Sequence, residues 1–353
     1  MLVHTLVHVK FWQRSLLIFA LMAFCGAATQ SIACSGPTSD EIMSLRCNLE
    51  FVAGKVINQN EVEILNSKLR RNGYLPLDGS FKPTYHTTNI TITPVINYEP
   101  NINGGNPARN LVVGGLEFIS DPEHFKVAGL TGGLKFQVDG RYAKPGGLVV
   151  DVKTQSSRQR AIDFPNFSIL DQTVSLCFRT QLSSWNLSRI CQEYLYLKKD
   201  LSSATVNNTS VGQFVYSTSK NTTFLNSLEF VHERGGYNFD SVNLTHGTID
   251  FNGTGYMANA TWKRSRTLSG VRERKVGITS SLDFHVFKEI GLDNTEITHQ
   301  PFLGIERKDS SWTVTTTLQV MNNAAFRLGY TKLNSTIDYF DDEYPFASLH
   351  LSF

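Results

Sequence analysis

Pro345-Phe346-Ala347-Ser348-Leu349-His350-Leu351-Ser352-Phe353 closes the sequence with an alternation of apolar and polar residues that stops on an aromatic ring. Side chains of a β-strand alternate between two faces, so Ala347, Leu349, Leu351 and Phe353 share one face and Ser348, His350 and Ser352 the other. In water such a strand would leave a half-apolar edge open to other chains. In a closed barrel it finds a partner in the first strand of its own sheet. The stretch is decided by whether the rest of the chain supplies a sheet that can close.

From Tyr85 onward the alternation recurs without a return to helical spacing. Ile90, Ile92, Pro94, Ile96 and Tyr98 alternate with Thr and Asn, and Leu134, Phe136 and Val138 alternate with Lys135, Gln137 and Asp139. The pattern continues through Val174, Leu176 and Phe178 to Phe326, Leu328 and Tyr330. It predicts about fourteen strands between 88 and 353. Leu244 and Ile249 break parity, and a bulge is expected there. Longer connections, such as Tyr98 to Lys126 and Arg158 to Ser168, alternate with tight turns, such as Ala143 to Gly146 and Leu182 to Trp185. Leu292 to Asn294 is read as the least tight of the short set. Long loops on one side and short turns on the other are the asymmetry of a transmembrane antiparallel barrel, so the fold class is all-β and the barrel occupies 85–353.

Composition agrees. The 353 residues are 41% hydrophobic with a mean hydropathy of −0.17, which excludes a bundle of membrane helices but suits a barrel in which alternate strand residues face lipid. A formal charge of +2 is too balanced to point to nucleic acid. Lys10 and Arg14, the apolar run from Ser15 to Ala28 and the small-x-small site Ser31-Ile32-Ala33 read as an export signal over 1–33. Cleavage there would make Cys34 terminal, but Ser31 stands where a lipoprotein signal usually carries Leu, so lipidation is not expected.

Residues 34–84 hold the only helical spacing, expected to be a periplasmic helical hairpin and linker. Ile42, Leu45, Leu49 and Val52 follow Ser39-Asp40-Glu41, and Val62, Leu65 and Leu69 follow Asn60 and end at Asn72-Gly73. The pair has the length of one tetratricopeptide-type unit, and one unit cannot bury its own apolar face. It either packs on the barrel or docks something else.

No catalytic signature is present: no Gly-x-Ser-x-Gly, no His-Glu-x-x-His, no phosphate loop and no dinucleotide fingerprint. Asp341-Asp342-Glu343 reads as a solvated loop tip, and Asp283 with His285 would need further partners to hold a metal. Neither enzymatic activity nor a cofactor is expected. With the apolar set facing lipid, Lys135, Asp139, Arg141, Asp151, Lys153, Arg179, Arg189, Glu193, Glu229, Lys263, Asp283 and Arg327 face the lumen, a mixture of both signs. Cys177 and Cys191 are symmetric about Ser184 and stand opposite each other in a hairpin, either bonded or as two free thiols, with Arg179 facing Arg189. Asn-x-Ser/Thr sequons from Asn89 to Asn334 support a competing reading as a secreted eukaryotic glycoprotein.

The terminal strand, with Leu349, Leu351 and Phe353, resembles the C-terminal assembly signal of bacterial outer-membrane barrels. The run Arg307-Lys308-Asp309, the strand from Trp312 to Leu318, Phe326-Arg327-Leu328-Gly329-Tyr330 and the loop Asp338-Tyr339-Phe340 resemble the C-terminal barrel of the surface lipoprotein assembly modifiers. So do Thr93-Pro94-Val95 and Tyr98-Glu99-Pro100-Asn101-Ile102-Asn103-Gly104-Gly105 at the barrel's start. The resemblance implies a fourteen-stranded barrel in the outer membrane of a Gram-negative bacterium that helps lipoproteins reach the cell surface. Its partners would be outer-membrane lipids, the barrel assembly machinery and a lipoprotein client, with no nucleic acid and no cofactor. Members of that family carry a larger helical-repeat domain ahead of the barrel, where this chain has one helix pair. A passive porin-like diffusion channel or a structural outer-membrane protein is the alternative.

Overall fold

The computed structural model describes residues 34, 40–53, 59–75, 77, 84–105, 110–113, 116–119, 121–235, 238–266, 271–284, 287–299, 306–321 and 324–351. The signal read over 1–33, His285, Ser352 and Phe353 lie outside them.

Fourteen antiparallel strands form a closed barrel. They are β1 (Tyr85–Glu99), β4 (Gly129–Lys144), β5 (Leu148–Ala161), β6 (Ser168–Ser183), β7 (Asn186–Lys198), β8 (Ser203–Ser219) and β9 (Thr222–Arg234). The wall continues through β10 (Asn238–Asp250), β11 (Gly255–Ser265), β12 (Arg272–Phe284), β13 (Phe287–Thr298), β14 (Lys308–Met321), β15 (Ala324–Ser335) and β16 (Asp342–Leu351). A two-stranded ribbon, β2 (Asn110–Val113) and β3 (Leu116–Ile119), rides on the first long loop. Each barrel strand pairs with its neighbour in sequence, and the ring closes where β1 meets β16, with Val95 opposite His350 and Tyr98 opposite Ala347. The described part of the terminal stretch is therefore paired with β15 along its length and with β1 from Ala347 to His350. Phe346 lies over Gly329, where a Cβ would collide with its ring.

The registers carry one parity around the whole wall. Ile90, Ile92, Val152, Phe178, Phe230, Ile278 and Val314 stand on the outer face, 45 to 66% exposed. Ring closure partners most strand N–H and C=O groups within the wall, so an apolar outer surface of this kind is suited to lipid. No described helix is long and apolar enough to cross a membrane. The sequons at Asn208, Asn243 and Asn259 fall on inward positions, where a glycan would occupy the lumen.

Two local expectations are corrected. No bulge interrupts β10, which pairs without a shift on both sides. Leu244 faces out and Ile249 faces in, only 1% exposed because a helix covers it. The apolar break in parity marks a contact inside the barrel. Leu292 to Asn294 is no turn but the middle of β13, and the connection falls between Phe284 and Phe287. There the apolar run Phe284-His285-Val286-Phe287 carries none of the Gly, Pro or Asn that usually marks a turn.

Cys177 and Cys191 are opposed in the β6–β7 register, with a Cα separation of 4.1 Å and an S–S distance of 2.03 Å. Cys34 is bonded to Cys47 with a Cα separation of 5.8 Å. Protein denatured without reductant should therefore take up no alkylating reagent at any of these four positions. Mass spectrometry of the peptides checks this, and modification at one pair would remove that bond.

Candidate functional site

Helix α1 (Glu41–Val52) starts at Asp40, whose Oδ1 accepts from the backbone N–H groups of Ile42 and Met43 at 2.8 and 3.3 Å. Donors left free at a helix start need such an acceptor. The same oxygen accepts from the Tyr216 hydroxyl of β8 at 3.0 Å, so the cap also ties the helix to the wall. Ile42, Met43 and Cys47 pack with Cys34 against Leu187, Tyr216, Leu225 and Ile249, which are inward residues of β7 to β10 near the tight turns. Full burial of an apolar side chain stabilises by about 1.5–3 kcal/mol, so this contact is a firm anchor.

Helix α2 (Gln59–Arg71) packs on α1 through Leu65 and Leu69 against Leu45. It ends at Gly73, with φ +78°, and the Tyr74 N–H donates back to the Leu69 carbonyl at 2.9 Å. The Gly73 carbonyl accepts from Gly147 in the β4–β5 turn at 3.1 Å, and a Cβ on Gly73 would lie 3.2 Å from both Gly147 Cα and Val149 Cγ2. Gly73→Ala should weaken docking of the hairpin by about 1–2 kcal/mol, the cost of a left-handed non-glycine residue, while leaving the barrel intact. Faster hydrogen exchange confined to 40–75 is the expected readout.

Charge completes the attachment. Glu41 meets Arg141 of β4 at 2.7 Å, Arg71 at 3.2 Å and the Asn72 side-chain amide at 3.3 Å. Burial alone would raise the Glu41 carboxyl, but Arg141, Arg71 and Asn72 together hold it below its ordinary value. Arg141 also pairs with Asp151 at 2.5 Å, and Arg179 donates to Asn72 at 2.9 Å. Opposite, the Arg46 guanidinium lies over Trp185 at 4.6 Å, and Trp185 stacks on Tyr74 at 4.8 Å. Burial pushes the Tyr74 hydroxyl up to about 12. The hairpin thus reaches from β8–β10 to β4 across the tight-turn mouth.

Beyond this hairpin the charged residues singled out in the sequence sort into groups. Arg189 and Arg179 are opposed as expected, and each has a partner of its own: Arg189 pairs with Glu229 at 3.0 Å and lies over Phe214, and Arg179 turns to Asn72. Lys263 pairs with Glu233 at 2.9 Å, and Glu273 is 3.8 Å away. Arg189, Glu229, Lys263, Glu233 and Glu273 line a space of about 470 Å3 beside the Cys177–Cys191 bond. Asp139 accepts from Gln137 at 2.5 Å and lies opposite Lys153, and Glu193 accepts from Asn208 at 3.3 Å. Lys135 and Arg327 share the inward parity, away from both groups. Asp283 falls at the register shift at the end of β12, and its side chain lies outside the described residues. Among the described residues no three His, Cys, Asp or Glu side chains gather to hold a metal. Glu41, Asn72, Glu233 and Tyr216 escape sequence reasoning. A helix residue carries no register linking it to a strand far along the chain, and Glu233 was readable only from its parity with Glu229.

Fold and site together define a closed fourteen-stranded antiparallel barrel with an apolar belt, a mixed-charge interior and a helical hairpin docked at its tight-turn mouth. No protein-family model and no curated protein matches the chain. Among solved structures it is similar to OprB of Pseudomonas putida, at 8% identity and a TM-score of 0.42 over 75% of this chain and 92% of that one. OccAB3 of Acinetobacter baumannii gives 7% identity and a TM-score of 0.42 over 76% and 99%. A BenF-like porin from Pseudomonas fluorescens gives 5% and 0.40 over 76% and 99%. The likeness is one of strand arrangement.

Proposed function

We propose that the chain is an outer-membrane barrel offering a passage for small polar solutes, held shut at rest by its own helical hairpin. The observation that carries this reading is the placement of α1. Its apolar face is buried on Leu187, Tyr216, Leu225 and Ile249, so this face of the hairpin serves as a stopper seated on the wall and is not open to a client. Ion-paired, water-compatible groups of both signs line the interior beyond it, as in a hydrated pore. Planar-bilayer recordings test the proposal. Protein lacking residues 40–75 should conduct steadily, and intact protein should be mostly closed with brief openings. Absence of conductance from folded, heat-modifiable protein of both kinds would sink it.

A second reading, assistance in the surface display of lipoproteins, is supported by the resemblance of the last hairpins and of the first strand and its Asn-rich loop. A strain lacking the gene would then lose protease accessibility of a surface lipoprotein, with conductance of the purified barrel irrelevant to the result. In both readings the barrel assembly machinery and outer-membrane lipids are its partners.

A further inference from the structure

On the outer face, where β8 to β13 approach the long-loop rim, lies a groove of about 950 Å3. Its membrane-ward part is apolar, with Val211, Phe230 and Trp262 46 to 55% exposed. Its rim-ward part carries Arg264, Arg266, Arg272 and Arg274. Two of these are partnered: Arg266 contacts Asp240, and Arg274 pairs with Glu296 at 2.6 Å.

Arg264 and Arg272 are different. The β11–β12 register sets them directly opposite each other on the outer face, both exposed, and no acidic side chain among the described residues pairs with either. Like charges facing each other across two strands are unfavourable. The nearby Arg234 donates to His232 and adds positive charge, while Asp240, which stands opposite Arg264 across β10 and β11, is already engaged by His232 and Arg266. Two adjacent guanidinium groups match the oxygens of a phosphate, and the aromatic and aliphatic floor below them matches acyl chains.

We propose that this groove binds the phosphorylated headgroup of an anionic lipid in the leaflet around the loop rim, with Arg264 and Arg272 clamping the phosphate and Trp262 and Phe230 contacting the acyl chains. The site faces away from the lumen. It rests on the membrane reading above but not on whether the barrel conducts.

Native mass spectrometry of detergent-purified full-length barrel, with diphosphorylated lipid A as the probe and phosphatidylcholine as control, tests the proposal. Wild type should retain lipid A selectively. The double variant Arg264→Gln, Arg272→Gln should retain it about tenfold less or weaker still, as expected for loss of two charge-assisted contacts. Melting gives a second readout that a folding defect cannot imitate. In neutral detergent Arg264→Gln should raise Tm, because the like-charge pair is relieved, whereas added lipid A should raise the Tm of wild type and not of the double variant. Undiminished retention by the double variant overturns the proposal. So does retention that inorganic phosphate abolishes and Trp262→Ala leaves unchanged, which would assign the arginines to a free anion. Failure of the protein to enter micelles or bilayers at all would instead defeat the membrane reading.

Discussion

Ile278→Arg should cut the yield of folded barrel sharply, with a loss of about 2–4 kcal/mol if the site lies near the bilayer midplane. Ile278 stands midway along β12, 53% exposed, between the outward neighbours Ala258 and Leu292. A guanidinium there must enter hydrocarbon or distort the bilayer around it. Thr279, the next residue, points inward between Met257 and Gly291, so Thr279→Arg places the same charge in the lumen and should be mild. Denaturant unfolding in lipid vesicles and the gel shift on boiling measure both. Equal responses at the two positions would invalidate the assignment of inner and outer faces.

The second large effect concerns the stopper. Glu41→Arg would set a guanidinium against Arg141 and Arg71 and leave Asn72 and Arg179 without their present electrostatic balance. Breaking a fully buried pair costs more, but the Glu41 side chain is 39% exposed, so solvent screening reduces the expected loss to about 2 kcal/mol. That is roughly thirtyfold in the undocked fraction, read as a higher open probability in bilayers. Acidification should act in the same direction. The docked carboxyl titrates below its ordinary 4.5, so its contribution is complete above that pH and is lost as pH falls through the docked value. Openings should therefore increase on acidification below about 4.5, and the Glu41→Gln variant should lose that dependence. An unchanged pH response in Glu41→Gln would assign the gating charge elsewhere.

The wall was legible in the sequence because a period of two leaves a direct trace. Ile90 to Tyr98 and Phe326 to Tyr330 show directly which residues share the apolar outer face, and the symmetry of Cys177 and Cys191 about their turn places them in register. What was hidden depends on contacts that no periodicity encodes. Ile249 looked like a fault in β10, because the helix that covers it is separated from it by almost the whole of the preceding wall. Cys34 and Cys47 belong to no common strand ladder, so their spacing of 13 residues gave no geometric reason to join them. The turn after Phe284 disappeared into an apolar run. The stopper itself could be read as two helices, but its position could not, since Asp40, Glu41 and Asn72 are ordinary cap and surface residue types until Tyr216, Arg141 and Arg179 approach them.

The junction of β1 with β16 differs from every other in the ring. Along β1, fifteen residues are matched with β4, but only four are matched with β16 among the described residues. The neighbours from β4 to β16 are sequential strands joined by single connections, and β1 reaches β4 across the long loop that carries β2 and β3, whereas this junction joins the two ends of the sheet and closes over the greatest chain separation. Closure is therefore expected to come last, after a curved ribbon with two unsatisfied edges has formed. Val95 to Tyr98 belong to two ladders at once, pairing also with Gly133 to Leu130 of β4, so substitutions there should slow closure and weaken the β1–β4 pair together.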